Sequence, residues 1–413
     1  MSKEVHVGDQ AEEVRRLASE FTFEGQTVTE AQMHELFERM RGVCPVAKSD
    51  AIDDGTYLVS RYADIQRCFR DPATFVSSQG RYPGEPKEIP VGIDPPFHTL
   101  ARKDLHRPFA LPNVRKHADE LTQRARSYLE PIVARGEGDL QKEFTEPFPC
   151  VSFMVLLGAP LTDLDQLVEW KNILFSAGDN HDPKHRRYVV EELQPAMTAY
   201  FTGLILDRQK LPADERPDDL LTALAGAQIG DRPYSLEEQV SVCRFLIKAG
   251  LDTVTGMLAR MLRFLAESPA HRRELLADRK LVPDAVEEML RYFSTVTPYR
   301  IATTDVEVGG VLVRANERLE FSLPSAGRDE SVYENADVID FRRPHVAHLA
   351  FGTGAHRCLG SHLARIELEI GIQAVLDLMP DYYLDDRYPP PQVKMSHILT
   401  PDHLHVVIGS LGE

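Results

Sequence analysis

Disulfide and zinc chemistry are what this chain of 413 residues is least equipped for. Its five cysteines, Cys44, Cys68, Cys150, Cys243 and Cys358, are odd in number, widely scattered and without a C-x-x-C pair. That argues against a disulfide framework or a zinc site and leaves reduced thiols, as in a cytosolic protein. Also missing is any Ser/Gly linker, repeat or low-complexity stretch, so residues 1–413 are read as one domain. Basic residues are in deficit: 47 Lys and Arg stand against 64 Asp and Glu, a formal net charge of -17, which makes nucleic acid a poor partner. No apolar run opens the chain. Lys3, Glu4, Asp9, Glu12, Glu13, Arg15 and Arg16 interrupt its start, so neither a signal peptide nor a membrane anchor is expected and the cytoplasm is the default location. What is present, 43% hydrophobic and 27% charged residues, suits a globular protein with a substantial core.

The most informative stretch is Phe351-Gly-Thr-Gly-Ala-His-Arg-Cys-Leu-Gly360. Gly352, Gly354 and Gly360 remove side chains where a backbone turns tightly and approaches a large flat object. Cys358 ends the loop. After it, Leu359, Leu363, Ile366 and Ile370 fall at helical spacing, so a helix over 359–376 follows and places the sulfur near a helix N-terminus, where a thiolate is favoured. A cysteine in a glycine-rich turn is more often a buried apolar side chain. The ordered spacing Phe351-x-x-Gly354-x-His356-x-Cys358-x-Gly360 favours the other reading. It resembles the haem-binding loop of the cytochrome P450 monooxygenases at every defining position. The resemblance implies haem b with Cys358 as iron ligand, Phe351 beside the sulfur, amides that tune the thiolate, and His356 facing a haem propionate.

The order of motifs from about Val43 to the C-terminus is that of soluble bacterial members. Thr56 to Tyr62 reads as a strand, Ala63 to Arg70 as a helix, and Asp71-Pro72 as a turn. From Arg102 to Ala270 the periodicity is mainly helical, with prolines at candidate boundaries. Between Ile301 and Leu323 short strands are expected, with Gly309-Gly310 as a turn. The fold class expected is mainly α with a small β region, and the resemblance implies the cytochrome P450 fold.

Residues 242–266 read as one long helix containing Ala249-Gly250-Leu251-Asp252-Thr253. Glycine weakens a helix interior, and Asp and Thr compete for its backbone hydrogen bonds, so packing alone gives little reason to collect all three. The group resembles the family's distal helix motif. By that resemblance Ala249 and Gly250 leave room for dioxygen, Thr253 holds a water for its cleavage, and Asp252 links that water to solvent as an acid-base relay.

Asp94-Pro95-Pro96-Phe97-His98-Thr99-Leu100-Ala101-Arg102 opens a helix that puts His98 and Arg102 on one face. This resembles the family's propionate-binding helix, and Arg300 after Pro298-Tyr299 matches its propionate arginine. Glu288-Met-Leu-Arg291 could be an ordinary helix salt bridge. Upstream of the cysteine loop it resembles the family's Glu-x-x-Arg signature, with Arg343 as its third member. Pocket candidates by the same resemblance are Ile89, Val91, Phe245, Ala249, Val296 and Tyr299. Lys248 departs from the pattern, because the family has an apolar residue there. Three readings stand open: it pairs with Asp252, it binds a substrate carboxylate or phenolate, or its stem packs on the helix while its ammonium reaches water.

The resemblance implies a monooxygenase that inserts one atom of O2 into a C–H bond of a small apolar substrate such as a terpenoid or aromatic, by hydroxylation or O-dealkylation. No flavin- or nicotinamide-binding segment is evident, so electrons are expected from a separate iron–sulfur ferredoxin and its NAD(P)H-dependent reductase. Arg102, Lys103, Arg107, Arg115, Lys116 and Arg357 form a candidate docking patch for such an acidic partner. The rival reading is a haem-based gas or redox sensor without turnover. Asp252-Thr253 argues against it, since a sensor needs no proton relay.

Overall fold

The computed structural model describes residues 2–23, 28–51, 55–78, 87–179, 183–344, 347–394 and 398–409. The chain forms two compact units, each drawing on separated stretches. One comprises Met1–Lys87, Glu287–Cys358 and Gln392–Leu399, and the other Glu88–Val286, Leu359–Pro391 and Thr400–Glu413.

The first unit is built on a sheet whose strands lie in the order Val46–Ser49, Thr56–Val59, Arg318–Phe321, Tyr299–Ala302, Phe75–Val76. Val46 pairs antiparallel with Val59, while Leu319 runs parallel beside Tyr57 and antiparallel to Arg300. All four residues of Thr56–Val59 are buried, so both faces of this strand are covered. The two-residue period sorts its side chains. Tyr57 and Val59 join Ile65, Phe69, Phe75 and Phe321 on one face, and Leu58 joins Phe21, Phe23, Phe37 and Met40 on the other. The helix Glu30–Val43, which supplies Phe37 and Met40, begins with a capping box: Thr29 Oγ1 accepts from the Gln32 N–H at 3.3 Å, and Gln32 Oε1 accepts from the Thr29 N–H at 2.8 Å. The strands expected between 301 and 323 form, and the strand at 56 ends at Val59, where helix Tyr62–Arg70 soon follows.

The second unit is mainly helical. Helix Ser361–Leu378 packs against Ala118–Arg135 and Thr253–Glu267. A Cβ on Gly371 would stand 2.9 Å from Leu258 Cδ2, so glycine sets how closely two of these helices approach. Strands Tyr382–Leu384, His405–Ile408 and Glu137–Asp139 form a small antiparallel sheet. Beside it Arg272, 1% exposed, donates to the Leu265 carbonyl at 2.8 Å and the Pro380 carbonyl at 3.1 Å, which satisfies a charge that would be costly to bury alone. No helix among the described residues is long and apolar enough to cross a membrane.

Candidate active site

In the first unit, loop 351–358 rests on the end of helix Tyr62–Arg70. Gly352 and Gly354 have φ of +63° and +72°. A Cβ on Gly354 would lie 2.2 Å from the Phe69 carbonyl oxygen, so both backbone handedness and contact demand glycine there. The Cys358 N–H donates to the Phe351 carbonyl at 2.8 Å and closes the loop. Cys358 is exposed, whereas Cys44, Cys68, Cys150 and Cys243 are buried. Burial pushes the thiols of Cys68, Cys150 and Cys243 up to about 12, the last two without and with an opposing pull from Lys171 in the case of Cys243 and Cys150 respectively. These are inert packed thiols. Cys358 is the cysteine that stays open to a ligand, against the general expectation for a glycine-rich turn. The helix expected directly after it starts at Ser361, with Gly360 as its cap residue.

Phe69 organises more than the loop. The Arg300 guanidinium stands 5.2 Å from its ring centroid and donates to the Tyr299 carbonyl at 2.6 Å. One helix end thus positions both the cysteine loop and Arg300. His356 is half-buried within the loop, Phe351 lies 6.0 Å from the His348 ring, and Val296 packs on the same unit's core.

The Glu-x-x-Arg pair is buried, and Arg343 joins it. Arg291 donates to Glu288 Oε1 at 2.7 Å and Oε2 at 2.8 Å, and to the carbonyls of Gly327, Ala336 and Val338 at 2.5, 2.8 and 3.0 Å. Arg343 Nε reaches Glu288 Oε1 at 3.0 Å, and its other nitrogens serve the carbonyls of Glu334, Asn335 and Val338. Two forked guanidiniums therefore pin the 327–343 segment to one carboxylate.

In the second unit, the long helix expected over 242–266 is two helices. Leu236–Leu251 starts from a Ser235/Glu238 capping box, and Thr253–Glu267 follows after a break at Asp252, whose φ and ψ are -105° and -27°. The cause is local competition. Thr253 Oγ1 donates to the Ala249 carbonyl at 3.0 Å and Thr255 Oγ1 to the Leu251 carbonyl at 2.8 Å, drawing those carbonyls from the regular ladder. Asp252, which could cap the second helix, turns its carboxylate to Lys171 instead, at 3.2 Å. Beside the break, Phe153 Cδ2 would lie 3.0 Å from a Cβ on Gly250, so the ring occupies space on that side of the glycine.

Lys171 is 2% exposed along its side chain and also donates to Glu146 Oε1 at 3.0 Å. Burial works against its charge, but attraction from the carboxylates of Asp252 and Glu146 prevails and raises its pKa, so the ammonium stays charged. Nearby, Glu367 on helix Ser361–Leu378 is fully buried beside Ser152, whose hydroxyl donates to the Phe148 carbonyl at 2.9 Å. Burial raises its carboxyl well above the ordinary range. Neither Lys171, Glu146 nor Glu367 stood out in the sequence, because each is a common residue type in helices and the turns beside them, and only packing gives it a partner.

Lys248 does not pair with Asp252. Its Nζ lies 2.8 Å from Glu88 Oε1. The neighbouring Ile89 N–H donates to Ser241 Oγ at 3.1 Å, which fixes the 88–89 segment to the same helix. Phe245, Lys248, Ala249 and Asp252 fall at i, i+3, i+4 and i+7, one helix face. Ile89 is buried, whereas Val91 is exposed. His98, 2% exposed, and the half-buried Arg102 project from helix Phe97–Leu105.

Comparison with known proteins decides what these pieces belong to. The profile described as Cytochrome P450 matches residues 21–402. The chain belongs to the cytochrome P450 family. It is 32% identical over 355 residues to cyclomarin C epoxidase CymV of Salinispora arenicola, covering 84% of this chain and 88% of that protein. To the vitamin D3 dihydroxylase of Streptomyces griseolus it is 33% identical over 299 residues, 70% of each. Among solved structures, open cytochrome P450 EryK from S. erythraea superposes with a TM-score of 0.83 at 28% identity, covering 92% of this chain and 96% of that one. CYP109B1 from Bacillus subtilis gives 0.81 at 26% identity, covering 91% and 99%. The fold is the P450 fold, and the protein is a P450 monooxygenase. Haem b with a cysteine thiolate ligand is the family's cofactor, and the residues present fit it: one exposed cysteine closes a loop whose Gly354 lies directly on backbone.

Proposed function

We propose that this P450 inserts one oxygen atom from O2 into a C–H bond of a small, largely apolar substrate, using Cys358 as the haem ligand. The observation that carries the reading is the exposure of Cys358, alone of the five cysteines, at the end of a loop seated on Phe69. Phe351 packs beside the ligand, and His98, Arg102, Arg300 and His356 hold the haem propionates through charge-assisted hydrogen bonds. When bound, the haem activates dioxygen for C–H oxidation.

The chain's own residues handle protons and substrate. Thr253, whose hydroxyl donates to the Ala249 carbonyl, keeps its oxygen lone pairs free to accept from a water. Asp252 supplies that water with protons, and Lys171 holds the carboxylate in place. Ile89, Val91, Phe245, Lys248, Ala249 and Val296 contact the substrate. Hydroxylation and O-dealkylation both begin with this C–H step. The epoxidase and hydroxylase names of the relatives support an oxygen-inserting role.

Electrons come from an iron–sulfur ferredoxin and its NAD(P)H-dependent reductase. Lys103, Arg107, Lys116, His117 and Arg216 line one cleft of about 620 Å³ together with Asp104, Asp218 and Asp219, and Lys116 pairs with Asp218, so the cations left for an acidic partner are Lys103, Arg107 and Arg216. Interleaving of chain segments between the two units supports reading 1–413 as one domain, and five free cysteines suit a cytoplasmic location.

The absorption spectrum of the reduced, carbon monoxide-treated protein tests the cofactor assignment: a thiolate-haem band is expected, and Cys358→Ala abolishes it. For the relay, Thr253→Ala is expected to retain haem and substrate binding while diverting electrons to hydrogen peroxide. Unchanged coupling of electron use to product would refute the role of Thr253.

A further inference from the structure

Lys248 is the charged group among the proposed substrate contacts, which are otherwise apolar. It lies on the face shared by Phe245, Ala249 and Asp252, one helical turn or about 6 Å before Asp252. The relay does not need it, because Lys171 already holds Asp252. Its partner is Glu88, at 2.8 Å, and both side chains are partly wet, at 37% and 24% exposure.

The two partners are not equivalent. Lys248 stands on helix Leu236–Leu251, whereas Glu88 stands outside any helix or strand. The segment carrying Glu88 does not depend on the ion pair for its position. Ile89 is buried and its N–H is tied to Ser241, and the Gly92 N–H donates to the Glu88 carbonyl at 2.6 Å. A half-exposed ion pair holds weakly, so the Glu88 side chain can swing to water while its backbone stays put. The lysine stem is flexible as well, but its root on helix Leu236–Leu251 keeps the ammonium within reach of the Phe245/Ala249 face. Once a substrate expels water from that face, a lysine there requires an anion beside it.

We propose that Lys248 is the anchor for a substrate carboxylate, and that Glu88 occupies the anchor until the substrate arrives. The inference rests on the reading of this helix face as the substrate site and narrows it to a class: monocarboxylates with a compact apolar body, oxidised away from the acid. The anion displaces Glu88 into solvent. Because the protein carries a net charge of -17, a local cation is what lets it accept an anionic substrate at all.

The test uses the haem-loaded full chain and its Glu88→Gln and Lys248→Met variants. Aromatic and terpenoid monocarboxylates are titrated alongside the methyl esters and primary amines of the same skeletons, read by the haem spin-state change and by calorimetry. In the native protein the acids are expected to bind at least about tenfold more tightly than their esters. Glu88→Gln removes the internal competitor, so acid affinity should rise about threefold or more with ester affinity unchanged. Lys248→Met should erase the acid preference. Three results would overturn the proposal: no acid preference in the native protein, equal weakening of acids and esters by Glu88→Gln, as a simple latch predicts, or a preference for amines that Glu88→Gln removes. Failure of the anchor alone leaves the thiolate-haem spectrum and ester binding intact. Loss of that spectrum in the native protein marks failure of the underlying functional reading instead.

Discussion

Arg291→Ala should be the most damaging single truncation in the first unit. Arg291 is 2% exposed and makes two bonds to Glu288 and three to backbone carbonyls. Removing one member of a buried ion pair costs about 3–5 kcal/mol. The abandoned carbonyls of Gly327, Ala336 and Val338 push toward the upper end, since an unsatisfied buried acceptor costs about 1–3 kcal/mol. Arg343 keeps Glu288 from being wholly unpaired and pulls the other way. At about 2.1 cal/mol/K of unfolding entropy per residue, a chain of 413 residues has roughly 0.9 kcal/mol/K, so 3–5 kcal/mol lowers Tm by roughly 3–6 °C. Thermal unfolding of the haem-loaded protein by circular dichroism, with haem content measured alongside, reads this directly. Arg291→Lys keeps the charge but loses the fork that reaches two carboxylate oxygens and three carbonyls together, so its Tm should fall between native and alanine. A Tm within about 1 °C of native for Arg291→Ala would refute the reasoning, because this accounting leaves no route to so small a loss.

Two further perturbations separate packing from charge. Glu367 has its carboxyl raised by burial, with the neighbouring Ser152 offsetting part, so the folded protein binds this proton more tightly than the unfolded chain. Native stability therefore declines as pH rises above the unfolded value of about 4.3. Glu367→Gln removes the decline, and its stability advantage over native in urea should grow between pH 5 and pH 8; a pH-independent difference would count against the buried carboxyl. Gly354→Ala must place a Cβ 2.2 Å from the Phe69 carbonyl at φ +72°, and a left-handed backbone alone costs about 1–2 kcal/mol. Reduced Tm and haem content are expected, whereas Gly360→Ala, with nothing within 4 Å of its Cβ and φ -81°, should match native; equal behaviour of the two would dismiss the seat on Phe69.

What was legible in the sequence is what neighbours along the chain decide. The glycines of 351–360, the Glu288/Arg291 spacing and the His98/Arg102 face are all set within one turn or one loop, where backbone handedness and helical period act directly. The fold class followed because those motifs occur in one order over most of the chain. The break at Asp252 sits between the two cases. Gly250, Asp252 and Thr253 announced a weak helix, but whether it bends depends on where the carboxylate goes, and Lys171 lies 81 residues upstream.

Only the tertiary structure could give Lys248 its partner, 160 residues earlier at Glu88, or show that Lys171 and not Lys248 holds Asp252. The same is true of the cysteines. Composition counts five alike, and packing buries four and leaves Cys358 open. Local rules propose which residues have the chemistry for a site. Charge pairing and burial, which act through space between residues far apart in the chain, decide which of them are free to use it.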